Sequence, residues 1–222
     1  MRKFLIFLLV VSLSLTVLAI SIEKNAYDMD YYLKSYEKNK ISQLTGKSKG
    51  QLAEISENLV SYIKGQGGEE LLEPYFNEKE ILHMVDVQNL FNLARRIKYI
   101  GLVLSIGIVI NFLKDRKYKL LGKALLFGPF VNYFIFLILG ILAYIDFNKY
   151  FTYFHLIFFT NDLWILDPNK DLMIQMLPEN FFMGMAKNIL LSFLLYLAII
   201  QVIGCIILRR GRIINEKVVG KD

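Results

Sequence analysis

Apolar residues fall along this chain in long unbroken blocks. Four stretches of fifteen or more residues hold no Asp, Glu, Lys or Arg: 4–22, 99–113, 124–145 and 188–208, of 19, 15, 22 and 21 residues. A helix needs about 20 apolar residues to cross a ~30 Å hydrocarbon core. Three stretches qualify outright, and the second gains length because the stems of Lys98 and Lys114 can reach the interfaces. The pattern predicts transmembrane helices at 4–22, 97–113, 124–145 and 188–208, with a kink at Gly128-Pro129 in the third. The first run, MRKFLIFLLVVSLSLTVLAIS, also has the form of a signal peptide, with a basic tip, an apolar core and small residues after it. The length of its apolar run and the poor site after it favour a retained anchor.

The connections carry their own periodicities. In 23–96, a polar, tyrosine-rich segment (AYDMDYYLKSYEKNK) precedes Leu52, Ile55, Leu59 and Ile63, whose spacing is one face of a helix. GQGG at 65–68 ends it. Asn77 followed by Glu80 matches a capping box, so a second helix, NEKEILHMVDVQNLFNLARR, starts there and runs into the second span. On it His83, Asp86, Val87 and Leu90 share a face. In 146–187, FNKYFTYFHLIFFTNDLW has eight aromatic residues in eighteen, a density foreign to loops in water. Aromatic rings favour the headgroup level, so this segment is expected on or in the surface of a leaflet. Asp167-Pro168 reads as an N-cap with Pro at the first helical position, opening a short helix DLMIQML that Leu177-Pro178 ends.

Charge orients the chain. The tip (Arg2, Lys3), the turn 114–123 and the tail 209–222 hold twelve Lys/Arg against Asp115, Glu216 and Asp222, whereas 23–98 and 146–187 hold fourteen against seventeen acidic residues. Short basic flanks stay on the cytoplasmic side. Both termini and the turn 114–123 are therefore expected to be cytoplasmic, and both long connections outside. The expected architecture is an all-α integral membrane protein: four transmembrane helices, a helical extracytoplasmic domain at 23–96 and an aromatic interfacial loop at 146–187. The net charge of +6 reflects this topology and contact with anionic lipid. It makes no case for nucleic acid, since no basic–aromatic binding module is present. Cys205, the single cysteine, lies inside a span, which excludes a disulfide scaffold.

The chain has two histidines, His83 and His155, both on the outer side by the charge map and each with an Asp nearby. Imidazole transfers protons near neutral pH. A lone interfacial histidine is usually an aromatic ring among others, but two on the same side shift the balance toward acid–base chemistry. At 72 positions apart and with no HxxxH or HExxH spacing, they form no recognisable metal-ligand set. No GxSxG, SxxK or CxxC motif offers a covalent nucleophile, so any acyl chemistry needs a nucleophile from the substrate. Asp86 or Asp162 are candidates to orient an imidazole, and Trp164 or Asn161 to donate a hydrogen bond to an oxyanion. Arg95, with Arg96 and Lys98, reads as an interfacial anchor or as a contact for an anionic substrate.

The segments EILHMVDV (80–87), FHLIFFTNDLWILDP (154–168) and DLMIQMLPENFF (171–182), set between spans in this order, resemble the lipoprotein intramolecular transacylase family. The resemblance covers nearly the whole chain, though 23–65 matches in character only. It implies a bacterial cytoplasmic-membrane enzyme whose partner is a diacylated lipoprotein. Such an enzyme moves the sn-2 acyl chain from the glyceryl ester to the α-amine of the lipid-modified N-terminal cysteine, giving the lyso-form. It implies catalytic roles for His155, first choice as general base, and His83; which is base and which acid stays open. Tyr153, Phe158 and Arg95 are expected to contact substrate. Residue chemistry agrees with this reaction. An amine of reference pKa about 7.7–8 can lose its proton to an imidazole, and donor and acceptor in one molecule react at high effective molarity. No cofactor, metal or ATP is needed. The alternative from the residues alone is a non-catalytic membrane sensor or assembly partner that binds a protein through its outer loops.

Overall fold

The computed structural model describes the backbone of residues 2–219 and the side chains of residues 2–211, so the expected tail 209–222 lies partly outside the described residues. The described chain forms ten α-helices: α1 (Arg2–Ala26), α2 (Met29–Lys38), α3 (Ile41–Thr45), α4 (Lys49–Lys64), α5 (Glu78–Lys114), α6 (Tyr118–Phe127), α7 (Phe130–Ile145), α8 (Phe147–Phe158), α9 (Leu172–Met176) and α10 (Glu179–Val219). A single 3₁₀ turn covers Glu69–Leu71. Four segments are long and apolar enough to cross a membrane: Arg2–Ala26, Glu78–Lys114, Tyr118–Ile145 and Glu179–Gly211. The protein is an all-α, multi-pass membrane protein. The chain divides into two compact units.

The first unit comprises residues 1–21, 95–140 and 190–222. It is turned inside out relative to a water-soluble bundle. Val103 is 70% exposed, Phe134 66% and Leu137 61%, surfaces that water would penalise and lipid does not. Its interior mixes apolar contacts (Leu9, Ile108, Phe112, Leu121 and Leu125) with polar ones. The Ser12 and Ser105 hydroxyls lie 2.8 Å apart, and Asn132 Nδ2 donates to Ser14 Oγ at 2.8 Å. Tyr133 OH donates to Gln201, whose amide donates in turn to the Leu126 carbonyl. Such bonds join helices where the hydrophobic effect cannot. The first helix contributes Leu9, Ser12, Thr16 and Val17 to this interior. Helices α6 and α10 touch backbone to backbone: a Cβ on Gly122 would stand 2.9 Å from the Gly204 carbonyl oxygen.

The connection at 114–123 is tighter than the charge pattern implied. Helix α5 ends at Lys114 and α6 starts at Tyr118, so Lys119 and Lys123 lie on a helix; they fall one turn apart, on one face. At the expected kink, α6 stops at Phe127 and α7 begins at Phe130. The Gly128 N–H still bonds the Ala124 carbonyl at 2.9 Å, while Pro129 has no N–H to continue the ladder.

The second unit comprises residues 22–94 and 141–189. Its core forms around the predicted face of α4: Leu52, Ile55, Leu59 and Ile63 are each at most 4% exposed. Burial of each such side chain contributes roughly 1.5–3 kcal/mol. Ser48 and Gln51 form a reciprocal capping box at the start of α4, and Gly65, at φ 77°, closes its end in the left-handed region. The tyrosine-rich segment is helical as α2, capped by Asp28. Its buried Tyr32 and Tyr36 satisfy their hydroxyls on the Ala26 carbonyl and Ser56. Against this core pack Met173, Met176 and Phe181 from the second connection.

One expectation is corrected. Asp167 does not cap a helix that begins at Pro168. Its Oδ1 accepts from the Asn169 N–H at 2.9 Å and its carbonyl from the Lys170 and Asp171 N–H groups, which closes an isolated turn. Helix α9 begins only at Leu172, after Asp171.

Candidate active site

Both histidines belong to the second unit, each on a helix with a defined start. At the beginning of α5, Asn77 Oδ1 accepts from the Glu80 N–H at 3.1 Å and Glu80 Oε2 accepts from the Asn77 N–H at 2.8 Å. This reciprocal cap fixes the first turn, and His83 follows one turn later, 8% exposed. Helix α8 is capped by Asp146, which accepts from the Lys149 N–H at 3.0 Å. His155 lies near its other end, 9% exposed.

The two imidazoles meet with ring centroids 6.2 Å apart, tilted by 33°. Trp164 stacks on His155 at 4.8 Å and 27°. Phe151 meets His155 edge-on at 4.5 Å, and Phe159 lies 5.3 Å from His83 and 5.6 Å from His155. His155 Nδ1 is 2.7 Å from the Phe151 carbonyl oxygen. A carbonyl only accepts, so Nδ1 carries the hydrogen and Nε2 carries the lone pair. Two buried nitrogens in this cluster have no hydrogen-bond partner among the described residues: His83 Nδ1 and Trp164 Nε1. Buried polar atoms are nearly always paired, and an orphan costs about 1–3 kcal/mol, so two in one cluster mark a place where something else binds.

Burial governs the electrostatics. It pushes His83 down to about 4, aided by the neighbouring His155 and opposed by Asp86. His155 is also lowered by burial, with its bond to the Phe151 carbonyl pulling the other way. Both rings are therefore neutral at pH 7. Trp164 is the only tryptophan, so its emission reports on the stacked His155. An imidazolium quenches indole fluorescence and a neutral imidazole does so far less. Emission of the purified protein is expected to stay flat from pH 8 to about 6.5 and to fall below it, with a midpoint under the reference value of about 6.5. His155→Ala should remove the step; a midpoint at or above 6.5 would contradict the burial argument. Stability should fall over the same acid range, because unfolded imidazoles take up protons that the folded pair resists.

The other sequence-derived residues divide clearly. Asp86 and Asn161 come together, but on each other: Asn161 Nδ2 donates to Asp86 Oδ2 at 2.8 Å, and Asn161 Oδ1 accepts from the Leu163 N–H. Neither Asp86 nor Asp162 bonds an imidazole; the Phe151 carbonyl orients His155 instead, and Asp162 is exposed. Asn161 thus has its amide committed, whereas the Trp164 N–H is unused. Tyr153 and Phe158 are 46% and 50% exposed on the outer side of α8, beside Leu156 at 60% and Ile157 at 74%, an apolar face suited to lipid. Arg95 belongs to the first unit. Glu80 was read only as a cap, yet it is 1% exposed and also accepts from the Met173 N–H at 2.7 Å. Burial raises its carboxyl, and the Met173 and Asn77 N–H groups pull it back. The capping box was the only sequence signal for it.

The profile of the family described as lipoprotein intramolecular transacylase Lit matches residues 7–182. Among solved structures, the chain is similar to the in meso structure of the membrane-integral lipoprotein intramolecular transacylase Lit from Bacillus cereus. The identity is 25% and the TM-score 0.86, over 96% of this chain and 98% of that one. Two structures of the same protein with one histidine replaced, by arginine and by alanine, match at 25% identity and a TM-score of 0.82. They cover 96% of this chain and 94% and 96% of theirs. No curated protein gives a significant match.

Proposed function

Because the chain belongs to the lipoprotein intramolecular transacylase family, we propose that it moves the sn-2 acyl chain of a diacylglyceryl-cysteine lipoprotein onto the cysteine α-amine of the same molecule. The single observation that carries the mechanism is a pair of imidazoles with ring centroids 6.2 Å apart, beside an indole N–H with no partner among the described residues. The amine nitrogen attacks the ester carbonyl carbon. His155 Nε2 takes the proton that the amine gives up. The bond from that carbon to the glyceryl oxygen breaks, the oxygen receives a proton from the imidazole pair, and an amide stands where the ester was. Trp164 Nε1–H donates to the carbonyl oxygen as its charge grows, and His83 is the second catalytic group. Donor and acceptor are already in one molecule, so no acyl-enzyme is required.

The same reading sets topology. Both termini are cytoplasmic, and the second unit lies at the outer face of the bacterial cytoplasmic membrane, with the exposed apolar side of α8 in lipid and Tyr153 and Phe158 against acyl chains. The supporting observation is the charge distribution, basic at the tip, at 114–123 and in the tail. Arg95 is placed as a headgroup contact. The replacement of one histidine in the Bacillus cereus structures is in keeping with imidazole chemistry. Because the family is one of enzymes, the alternative of a non-catalytic sensor lapses.

The test is chemical. The chain is expressed in a bacterium whose lipoproteins are diacylated, and N-terminal lipopeptides are fragmented by mass spectrometry. Total mass should stay the same while fragments show an N-acyl group and a monoacylglyceryl thioether. An unblocked N-terminus on every lipopeptide would overturn the proposal, and a mass increase by one acyl chain would replace it with transfer from an external donor.

A further inference from the structure

The segment that carries Trp164 is fastened to the start of α5 at four points. Asn161 Nδ2 donates to Asp86 at 2.8 Å, and Lys79 Nζ donates to the Ile165 carbonyl. Asn77 Nδ2 donates to Asp171 at 2.8 Å, and the Met173 N–H donates to Glu80 Oε1 at 2.7 Å. All four partners lie in or just before the first three turns of α5. His83 stands three residues after Glu80 and three before Asp86, so the two carboxylates flank its imidazole along one face of the helix. One of them grips the segment at 161 and the other at 173. Glu80 is fully buried, both its oxygens are occupied by backbone N–H groups, and acyl transfer makes no direct use of it.

We propose that Glu80 and Asp86 are positioning residues of the site. By holding the two ends of the 161–173 segment, they fix the Trp164 indole against His155 and beside the helix that carries His83. This deepens the imidazole reading and rests on it for its effect on rate. The chemistry of the grip makes it testable. A glutamine at 80 offers one oxygen and one NH2 group, so either the Asn77 or the Met173 N–H loses its acceptor and faces a donor. An asparagine at 86 keeps an oxygen for Asn161, and an alanine does not.

Full-length protein purified in detergent is compared as wild type, Glu80→Gln, Asp86→Ala, Asp86→Asn and Lys79→Ala, with Glu54→Gln as control. Glu54 is exposed and accepts from Tyr75. Trp164 emission and its acid quenching are read together with kcat and KM on a diacylated lipopeptide. Glu80→Gln and Asp86→Ala should shift the emission to the red, weaken the quenching and lower kcat about 10- to 100-fold with KM nearly constant. Asp86→Asn should restore the wild-type signals. Lys79→Ala breaks an exposed contact without touching the core, and should move emission the same way by less, so it reads the grip even where Glu80→Gln does not fold. Variants that melt earlier yet keep wild-type emission, quenching and kcat would make the carboxylates structural only and overturn the proposal. So would an Asp86→Asn that behaves like Asp86→Ala. If emission shifts as expected while His83→Ala and His155→Ala remain active, the grip stands and the imidazole mechanism falls.

Discussion

Replacing His155 by alanine is expected to lower the rate of acyl transfer by about 10²- to 10⁴-fold, the range general acid–base groups contribute. The argument runs through one hydrogen bond. Because the Phe151 carbonyl holds the hydrogen on Nδ1, Nε2 presents a permanent lone pair, and because burial keeps the ring neutral, that lone pair is available at pH 7. The loss should fall on kcat, since the ring binds the proton in flight more than the resting substrate. Two further measurements separate chemistry from packing. Free imidazole added to His155→Ala should restore part of the rate. In the wild type, kcat should hold through neutral pH and decline on the acid side, below about 6.5, as the base becomes protonated. A variant within threefold of wild type, or one that imidazole cannot help and that also leaves the membrane, would defeat the assignment of His155 as base.

Trp164→Phe is expected to cost about 10²- to 10³-fold in kcat, the loss typical of removing one oxyanion donor. Phenylalanine keeps an aromatic face to stack on His155 but has no N–H. In the resting protein the Trp164 Nε1–H is buried and has no partner among the described residues, so its removal takes nothing away from the folded state. Deleting an unsatisfied donor offsets part of the packing lost with the smaller ring, and the melting temperature should move little while activity collapses. That divergence is the signature of a group kept for the transition state. Parallel loss of stability and activity would make Trp164 a packing residue. Little loss of activity would send the oxyanion to another donor.

Much of this architecture was legible because a bilayer imposes simple demands on sequence. The charge-free runs, the break at Gly128-Pro129, the α4 stripe of Leu52, Ile55, Leu59 and Ile63, and the Asn77/Glu80 cap each follow from a local rule. What could not be read was whatever depends on residues far apart in the chain. Asp167 carries every local mark of a helix cap, yet its own N–H is held by Asp171 Oδ2 at 2.7 Å, and Asp171 is held in turn by Asn77, 94 residues away. Asp86 sits at the right spacing to serve His83, yet an asparagine 75 residues later takes its oxygen. The segment that became α2 was legible only as polar and tyrosine-rich, because the burial of Tyr32 and Tyr36 depends on the Ala26 carbonyl and Ser56. The histidines themselves were nameable from their type and their side of the membrane, but their meeting was not, since no spacing rule relates positions 83 and 155.

The contact that sets the tautomer of His155 has an evolutionary corollary. It is made by the main chain of residue 151, and every amino acid supplies the same oxygen there. No point mutation at that position can delete it while α8 keeps its winding. Related sequences are therefore free to drift at position 151 without losing the feature, and an alignment scored by residue identity would pass over a part of the machinery that the backbone inherits in every variant that folds.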